Sequence, residues 1–178
     1  MPPDKRQRLF FALWPDEALR QQLIKRLSEQ MFRSSGGRPV PPENFHITLR
    51  YLGSLSSEER QCAEHVADTV RAVSFQLVLD RTGYWRGPKV AWLGAGAPPP
   101  ALLDLVKQLE AGLVSCGLEP ELRSYQPHLT FLRKGRPKML PAEIPPVIWP
   151  VNRFVLVHSV TLPEGVHYEV VRSWNLSE

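Results

Sequence analysis

A short segment containing His-x-Thr occurs twice in this chain. Residues 45–53 read FHITLRYLG, and residues 127–135 read PHLTFLRKG. The copies share histidine, an aliphatic residue, threonine, a large apolar residue and a final glycine, and the second histidine follows the first by 82 positions in a chain of 178. A repeat at nearly half the chain length predicts two similar lobes related by a pseudo-two-fold axis. Each lobe is expected to present one His-x-Thr strand to a shared cleft.

Strand-like and helix-like segments alternate along the rest of the chain. Apolar and β-branched runs predict strands at 9–14, 45–52, 75–79, 90–93, 128–132, 154–162 and 168–174. Helical spacing predicts three helices. The first begins near Asp16, the second begins after Ser56 with a capping box to Glu59, and the third ends at Gly117. The glycine- and proline-rich segment 34–39 and the proline-rich stretch 136–150 are predicted as loops. We therefore expect an α/β (α+β) fold and a single bilobal domain over residues 1–178, with motifs at 46–48 and 128–130.

Composition limits the partners and the compartment. A net charge of +4 and a pI near 9.3 favour polyanionic partners without resembling a basic tail. Cys62 and Cys116 fall in separate predicted helices without metal-ligand spacing, so the sequence predicts neither a zinc site nor a disulfide, and a reducing cytoplasm fits. The apolar run at 9–14 is too short for a signal sequence or a membrane span. A soluble cytoplasmic monomer is therefore the expectation.

The two motifs suit acid–base chemistry at phosphorus. Side chains alternate along a strand, so His46 and Thr48 share one face, as do His128 and Thr130. Two imidazoles with a pKa of about 6.5 can hold opposite protonation states near neutral pH, one donating a proton and the other accepting one. Threonine hydroxyls can bond the nonbridging phosphate oxygens, so no metal or cofactor is required. One His-x-Thr alone would be weak evidence, but two copies in matching strands favour catalysis.

The remaining candidates are weaker. Arg50 would share the face of His46 in an unbroken strand, yet a salt-bridged or solvated arginine is the favoured interpretation. His158 is interpreted as a satisfied core or sheet-edge histidine that can reach the cleft, and His65 as a surface histidine. The basic residues that follow the second motif more often belong to a solvated loop than to an RNA-steering surface; they are Lys134, Arg136 and Lys138.

At these motifs the chain resembles the 2H phosphoesterase superfamily, which is defined by two His-x-Thr/Ser motifs in two lobes. Within it, the chain is similar to bacterial and archaeal RNA 2',3'-cyclic phosphodiesterases, historically called 2'-5' RNA ligases. The resemblance extends over 8–13, 42–49, 52–53, 127–130 with Arg133, and 168–176. It implies two antiparallel sheets lining a central cleft with helices outside, and hydrolysis of RNA 2',3'-cyclic phosphate ends to 2'-phosphomonoesters.

The resemblance also implies roles for single residues. His46 would be the proton donor and His128 the proton acceptor, with Thr48 and Thr130 binding the substrate. Arg133 would contact phosphate and Tyr51 would stack on a base. Alternation along an unbroken strand would point both Arg133 and Tyr51 away from the histidines, so both roles require a bend or a bulge.

Two other functions stay open from the sequence. A 2'-5' RNA ligase would use the reverse chemistry at the same site. A non-catalytic protein that binds RNA or nucleotides would keep the fold without turnover, although intact histidine and threonine at both motifs favour an enzyme.

Overall fold

The computed structural model describes residues 4–28, 36–135 and 140–178. Within these ranges the chain forms strands and three helices, joined by short connections. In order they are β1 (Gln7–Leu13), α1 (Glu17–Ser28), β2 (Arg38–Pro39), a 3₁₀ turn (Pro42–Asn44), β3 (Ile47–Leu55), α2 (Ser57–Thr69), β4 (Phe75–Trp85), β5 (Val90–Gly94), α3 (Pro100–Val114), β6 (His128–Arg133), β7 (Glu143–Val151), β8 (Arg153–Leu162) and β9 (Gly165–Asn175).

The strands build two sheets, each of which contains one His-x-Thr strand. The first sheet has the order β3-β1-β8-β9 and the second has the order β2-β6-β5-β4-β7, with antiparallel neighbours throughout. The predicted α+β class with two antiparallel sheets is thus confirmed. Neither sheet comes from one half of the chain. β8 and β9 complete the sheet that β1 and β3 begin, and β2 and β4 join the later strands β5, β6 and β7 in the other sheet.

The two segments that were predicted as loops contain edge strands. β7 runs through the proline-rich stretch, with Pro145, Pro146 and Pro150 exposed while Val147 and Trp149 are buried. Proline lacks the N–H that a central strand must donate, but an edge strand tolerates it. β2, which contains Pro39, lies at the opposite edge of the same sheet. The prediction was wrong because it relied on the proline content of these segments. In β7, apolar and other residues alternate in the sequence, as they do in a strand with one buried face.

The helices follow their predicted boundaries. Ser56 and Glu59 form the capping box at the start of α2, each bonding the other's backbone N–H. Gly117 has φ +80, the left-handed conformation that glycine adopts readily, three residues after the last residue of α3. No helix in the described ranges combines the length and the apolarity needed to cross a membrane.

A disulfide joins α2 to the turn after α3, contrary to the prediction from the sequence. Cys62 and Cys116 are bonded, with their Cα atoms 5.8 Å apart. The two helices approach closely at Gly112, where an added Cβ would lie 2.4 Å from a methyl of Val66. The two cysteines are 54 positions apart in the sequence, and only the contact between the helices brings them together. Cysteine spacing alone does not reveal this contact.

We expect the Cys62–Cys116 bond to stabilise the fold by restricting the unfolded chain. A loop closed over 54 residues contributes about 4 kcal/mol in the chain-entropy account. Urea unfolding should show a lower midpoint for the wild type in dithiothreitol than without it. A Cys62→Ala/Cys116→Ala variant should unfold at the same urea concentration in both conditions. Free thiols in native protein purified without reductant would contradict the bond.

Candidate active site

The first motif strand contains a β-bulge directly after its threonine. The pairing with β1 joins Ala12 with Thr48, Phe11 with Arg50, and Phe10 with Tyr51. Leu49 therefore has no pairing partner of its own on β1 and is the extra residue of the bulge. Directly paired residues share a face of the sheet, and Ala12 and Phe10 lie on one face of β1. Tyr51 consequently lies on the same face as Thr48, whereas Arg50 lies on the other.

The second motif strand has its bulge at the equivalent position. The pairing with β5 joins Trp92 with Thr130, Ala91 with Leu132, and Val90 with Arg133. Phe131 is the extra residue, so Arg133 returns to the face of Thr130 and His128. We call the faces that carry the His-x-Thr side chains the motif faces. The bulge that Arg133 and Tyr51 required is present in both strands, so both residues lie on the motif faces.

Arg50 has a different place from the one that simple alternation predicts. The bulge turns it away from the motif face, and its guanidinium forms an ion pair with Glu110 of α3 at 2.6 Å. It also donates to the backbone carbonyls of Tyr51 and Glu119. The prediction that Arg50 shares the face of His46 was wrong, and the prediction of a salt-bridged arginine is confirmed.

Both imidazoles are held in the same way. Nδ1 of His46 lies 2.7 Å from the carbonyl oxygen of Asn44, and Nδ1 of His128 lies 2.9 Å from that of Gln126. A carbonyl oxygen only accepts, so each Nδ1 carries a proton and donates it. Nε2 of each ring is left as the nitrogen that can accept or release a proton. Each carbonyl belongs to the residue two positions before its histidine, so the sequence repeat extends to the anchoring of the rings.

The surroundings of the two imidazoles differ. His46 stacks on Trp14 with ring centroids 5.6 Å apart and planes at 14°, and it also contacts Phe10 and Tyr168 at 4.9 and 5.2 Å. His128 meets Trp85 at 4.5 Å and 72°. These aromatic neighbours were not predicted as site residues. They stand far from the motifs in sequence, and only the sheet pairing brings them together.

Burial and nearby positive charge change the protonation of both rings. Burial lowers the pKa of His46 from 6.5 to about 4, and Arg133 and His128 also lower it, against the hydrogen bond to Asn44. Burial likewise lowers the pKa of His128, with Arg133 contributing and the bond to Gln126 opposing. The two motif strands, β3 and β6, contact each other, and this contact brings His46 near His128 and Arg133. Both shifts favour the neutral form of the imidazole in the free protein, whereas the sequence predicted that the two rings can hold opposite protonation states near neutral pH.

A tyrosine links the two motifs across the sheets. Tyr125 lies three residues before His128, and its hydroxyl donates to the backbone carbonyl of Thr48 at 3.0 Å. Burial raises the pKa of Tyr125, so the phenol stays protonated and acts as a donor. Thr48 and Thr130 are half-buried beside the imidazoles. No sequence pattern indicated this link, because nothing local marks Tyr125.

The other predicted candidates lie away from these residues. His158 pairs with Leu9, which places it on the face opposite to Phe10 and the motif side chains. His65 is exposed on α2. Of the basic residues after the second motif, Lys134 is exposed, and Arg136 and Lys138 lie outside the described residues. Among described residues, no group of three or more histidine, cysteine, aspartate or glutamate side chains is arranged to hold a metal ion.

Comparison with known proteins gives consistent similarities. Residues 14–162 match the family described as the 2'-5' RNA ligase superfamily. The chain is 32% identical to the RNA 2',3'-cyclic phosphodiesterase of Escherichia coli, over 97% of this chain and 98% of the relative. It is 31% identical to the protein of that name from Thermus thermophilus, over 95% and 90%. The solved structure of E. coli LigT complexed with 3'-AMP has a TM-score of 0.87 and 32% identity, covering 97% of this chain and 99% of that one.

We expect burial of His46 to make stability depend on pH. The folded pKa of about 4 lies below the ordinary value of 6.5, so the unfolded chain takes up a proton that the folded chain does not. The stability that depends on a neutral His46 is therefore fully present above pH 6.5 and is lost as the pH falls toward 4. Chemical denaturation from pH 7.5 to 4.5 should show a smaller loss of stability for His46→Gln than for the wild type. His65→Gln, on the surface of α2, is the control, and parallel curves for His46→Gln and the wild type would contradict the account.

Proposed function

Because this chain belongs to the 2'-5' RNA ligase superfamily, we propose that His46 and His128 form an acid–base pair that hydrolyses RNA 2',3'-cyclic phosphate ends. The observation that carries the mechanism is the pair of imidazoles, one from each sheet, held alike through Nδ1 and within electrostatic reach of each other. The family predicted from the sequence is confirmed. At the level of activity the prediction of a hydrolase is also confirmed, since relatives matching nearly the whole chain are RNA 2',3'-cyclic phosphodiesterases.

The proposed reaction is an in-line displacement at phosphorus. Nε2 of His128 accepts a proton from water, and the water oxygen forms a bond to phosphorus. The bond from phosphorus to the 3' oxygen breaks, and Nε2 of His46 donates its proton to that oxygen. The product is a 2'-phosphomonoester with a free 3'-hydroxyl. Two positioned proton transfers, each worth about 10²–10⁴ in rate, can open a cyclic ester whose leaving group remains tethered.

The acid must acquire its proton together with the substrate. His46 is neutral in the free protein because burial lowers its pKa to about 4. An anionic phosphate placed beside the ring favours the imidazolium, and a buried site strengthens that attraction. In the free protein the positive charge of Arg133 disfavours protonation of His46. A bound phosphate also offsets the charge of Arg133. Binding of the anion therefore prepares the general acid.

The side chains next to the histidines complete the proposed site. Thr48 and Thr130 donate hydroxyl hydrogen bonds to the nonbridging phosphate oxygens. Arg133 adds a guanidinium that matches phosphate geometry. Tyr51 is 51% exposed on the motif face of the first sheet and contacts the RNA from that side. We interpret residues 1–178 as one bilobal domain in which each sheet supplies one motif.

The remaining features of the proposal concern partners and location. The substrate is RNA or a nucleotide with a 2',3'-cyclic phosphate end, bound by a monomer in the cytoplasm without a metal or cofactor. Most cytoplasmic thiols are reduced, so the Cys62–Cys116 bond bears on this location. Thiol trapping in cells tests it: free thiols at Cys62 and Cys116 would support the cytoplasm, and a disulfide would count against it.

We expect His46→Ala and His128→Ala to lose at least about 100-fold in kcat on 2',3'-cyclic AMP, because each removes one proton transfer. The assay uses EDTA throughout. His158→Ala removes an imidazole from the opposite face of the first sheet and should keep wild-type kcat. Circular dichroism checks that all three variants are folded. Near wild-type turnover by either motif variant would refute the mechanism.

The pH profiles should separate free and bound protein. kcat/KM reports the free protein, in which the acid has a lowered pKa, whereas kcat reports the complex, in which phosphate raises it. We therefore expect the alkaline limb of kcat to lie at higher pH than that of kcat/KM, by about one unit or more. Steady-state kinetics from pH 4 to 9 would measure both limbs. Coincident limbs would mean that substrate binding does not charge the acid.

Two alternatives have distinct outcomes in the same assays. Binding of the cyclic nucleotide without turnover would indicate a non-catalytic nucleotide-binding protein. Accumulation of joined product from an RNA with a cyclic phosphate end and one with a 5'-hydroxyl would indicate 2'-5' ligation.

A further inference from the structure

The two motif strands are not joined by a β-ladder. β3 lies at the edge of the first sheet and β6 lies in the second sheet, and the two strands contact each other without pairing. The relative position of His46 and His128 therefore depends on side chains that bridge the sheets. In an in-line displacement the proton donor and the proton acceptor act on opposite sides of one phosphorus. A misplacement of about 1 Å can cost roughly 100-fold in rate.

The hydroxyl of Tyr125 bridges the two motifs directly. It donates a hydrogen bond to the backbone carbonyl of Thr48 at 3.0 Å. Tyr125 lies three residues before His128, and Thr48 lies two residues after His46. The bond therefore joins the backbone next to one imidazole with the segment that leads to the other. Burial raises the pKa of Tyr125, so the phenol remains a donor throughout the pH range in which the histidines titrate.

The segment between α3 and β6 is held at two further places. The disulfide at Cys116 fixes its beginning to α2. In its middle, the carbonyl of Glu119 accepts a hydrogen bond from Arg50, which lies directly after the bulge of β3. These two contacts hold the early part of the segment, whereas Tyr125 holds the part that enters β6. Without the hydroxyl of Tyr125, the residues next to His128 lose this hydrogen bond to the first sheet.

We propose that Tyr125 is a positioning residue whose bond to the carbonyl of Thr48 sets the separation of the two imidazoles. The inference rests on the proposed function, in which both rings act on one phosphorus. Tyr125 acts through the backbone of Thr48 and contacts neither the substrate nor the reacting atoms. Because the transition state requires both rings at once, loss of the hydroxyl lowers kcat and leaves KM nearly unchanged.

The test compares Tyr125→Phe with a matched control, Tyr84→Phe. Both substitutions keep the aromatic ring and remove a hydroxyl that donates to a backbone carbonyl. The hydroxyl of Tyr84 bonds the carbonyl of Gly135 at 2.7 Å. This bond lies within the second sheet, and Tyr84 pairs with Ala91 on the face opposite to the motif side chains. The control therefore loses a similar hydrogen bond without loosening the link between the motifs.

We expect Tyr125→Phe to lower kcat on 2',3'-cyclic AMP about tenfold, a part of the loss that a displacement of about 1 Å can cause. KM should stay within about twofold of the wild type, because binding in the ground state does not require both proton transfers. Tyr84→Phe should keep both constants, and thermal unfolding compares the stability of the two variants. Wild-type kcat in Tyr125→Phe would overturn the inference. So would an equal loss in both variants, or a change in KM alone.

A second measurement does not require turnover and separates the inference from the proposed function. The charge of Arg133, on β6, disfavours protonation of His46. Arg133→Gln should therefore raise the pKa of His46, which NMR titration of the ring measures. The rise should be the same in Tyr84→Phe as in the wild type, and smaller in Tyr125→Phe, in which the two strands are less closely held. Equal rises in all three backgrounds would overturn the inference.

Failure of the proposed function would be recognised by a different result. If the wild type does not hydrolyse the cyclic nucleotide, the proposed function fails, and the NMR comparison still decides whether Tyr125 sets the position of the two motif strands.

Discussion

One extra residue directly after each His-x-Thr sets the composition of the site. Leu49 and Phe131 have almost no exposed surface, so burial of each apolar side chain, worth about 1.5–3 kcal/mol, holds the bulge in place. The bulge reverses the alternation that follows it and brings Tyr51 and Arg133 to the motif faces. The same reversal sends Arg50 to the helices, where Glu110 binds it. A regular strand with the same residues would offer a different set of side chains to a phosphate.

Packing and electrostatics act together on the two imidazoles. The carbonyls of Asn44 and Gln126 fix the orientation of the rings, and their aromatic neighbours withdraw them from water. Neutral histidines cost little to bury, whereas charged ones require a compensating anion. Burial therefore favours the neutral form of both rings in the free protein. Arg133 adds to this effect, because its positive charge disfavours protonation of both rings.

The sequence predicted what local patterns encode. The two motifs, most strands, the Ser56 capping box and the end of α3 near Gly117 follow from periodicity and spacing. The features that were missed depend on tertiary contacts. The edge position that lets β7 tolerate proline, the helix contact that joins Cys62 to Cys116, and the rings around each histidine all arise from elements distant in sequence. The family resemblance suggested Arg133, and only the register of β5 and β6 explains how its side chain reaches the motif face.

The exchange of strands between the two sheets bears on how the chain reaches this fold. β1 leaves the ribosome long before its neighbour β8, and Ala12 must wait for Val155. Contacts so distant in sequence carry a large loop-closure cost and slow folding. Until β8 has been made, one edge of β1 stays unpaired and open to association with other chains. The sheet that holds His46 is therefore complete only after β8 and β9 have been made, whereas every strand of the sheet that holds His128 precedes β8 in the chain.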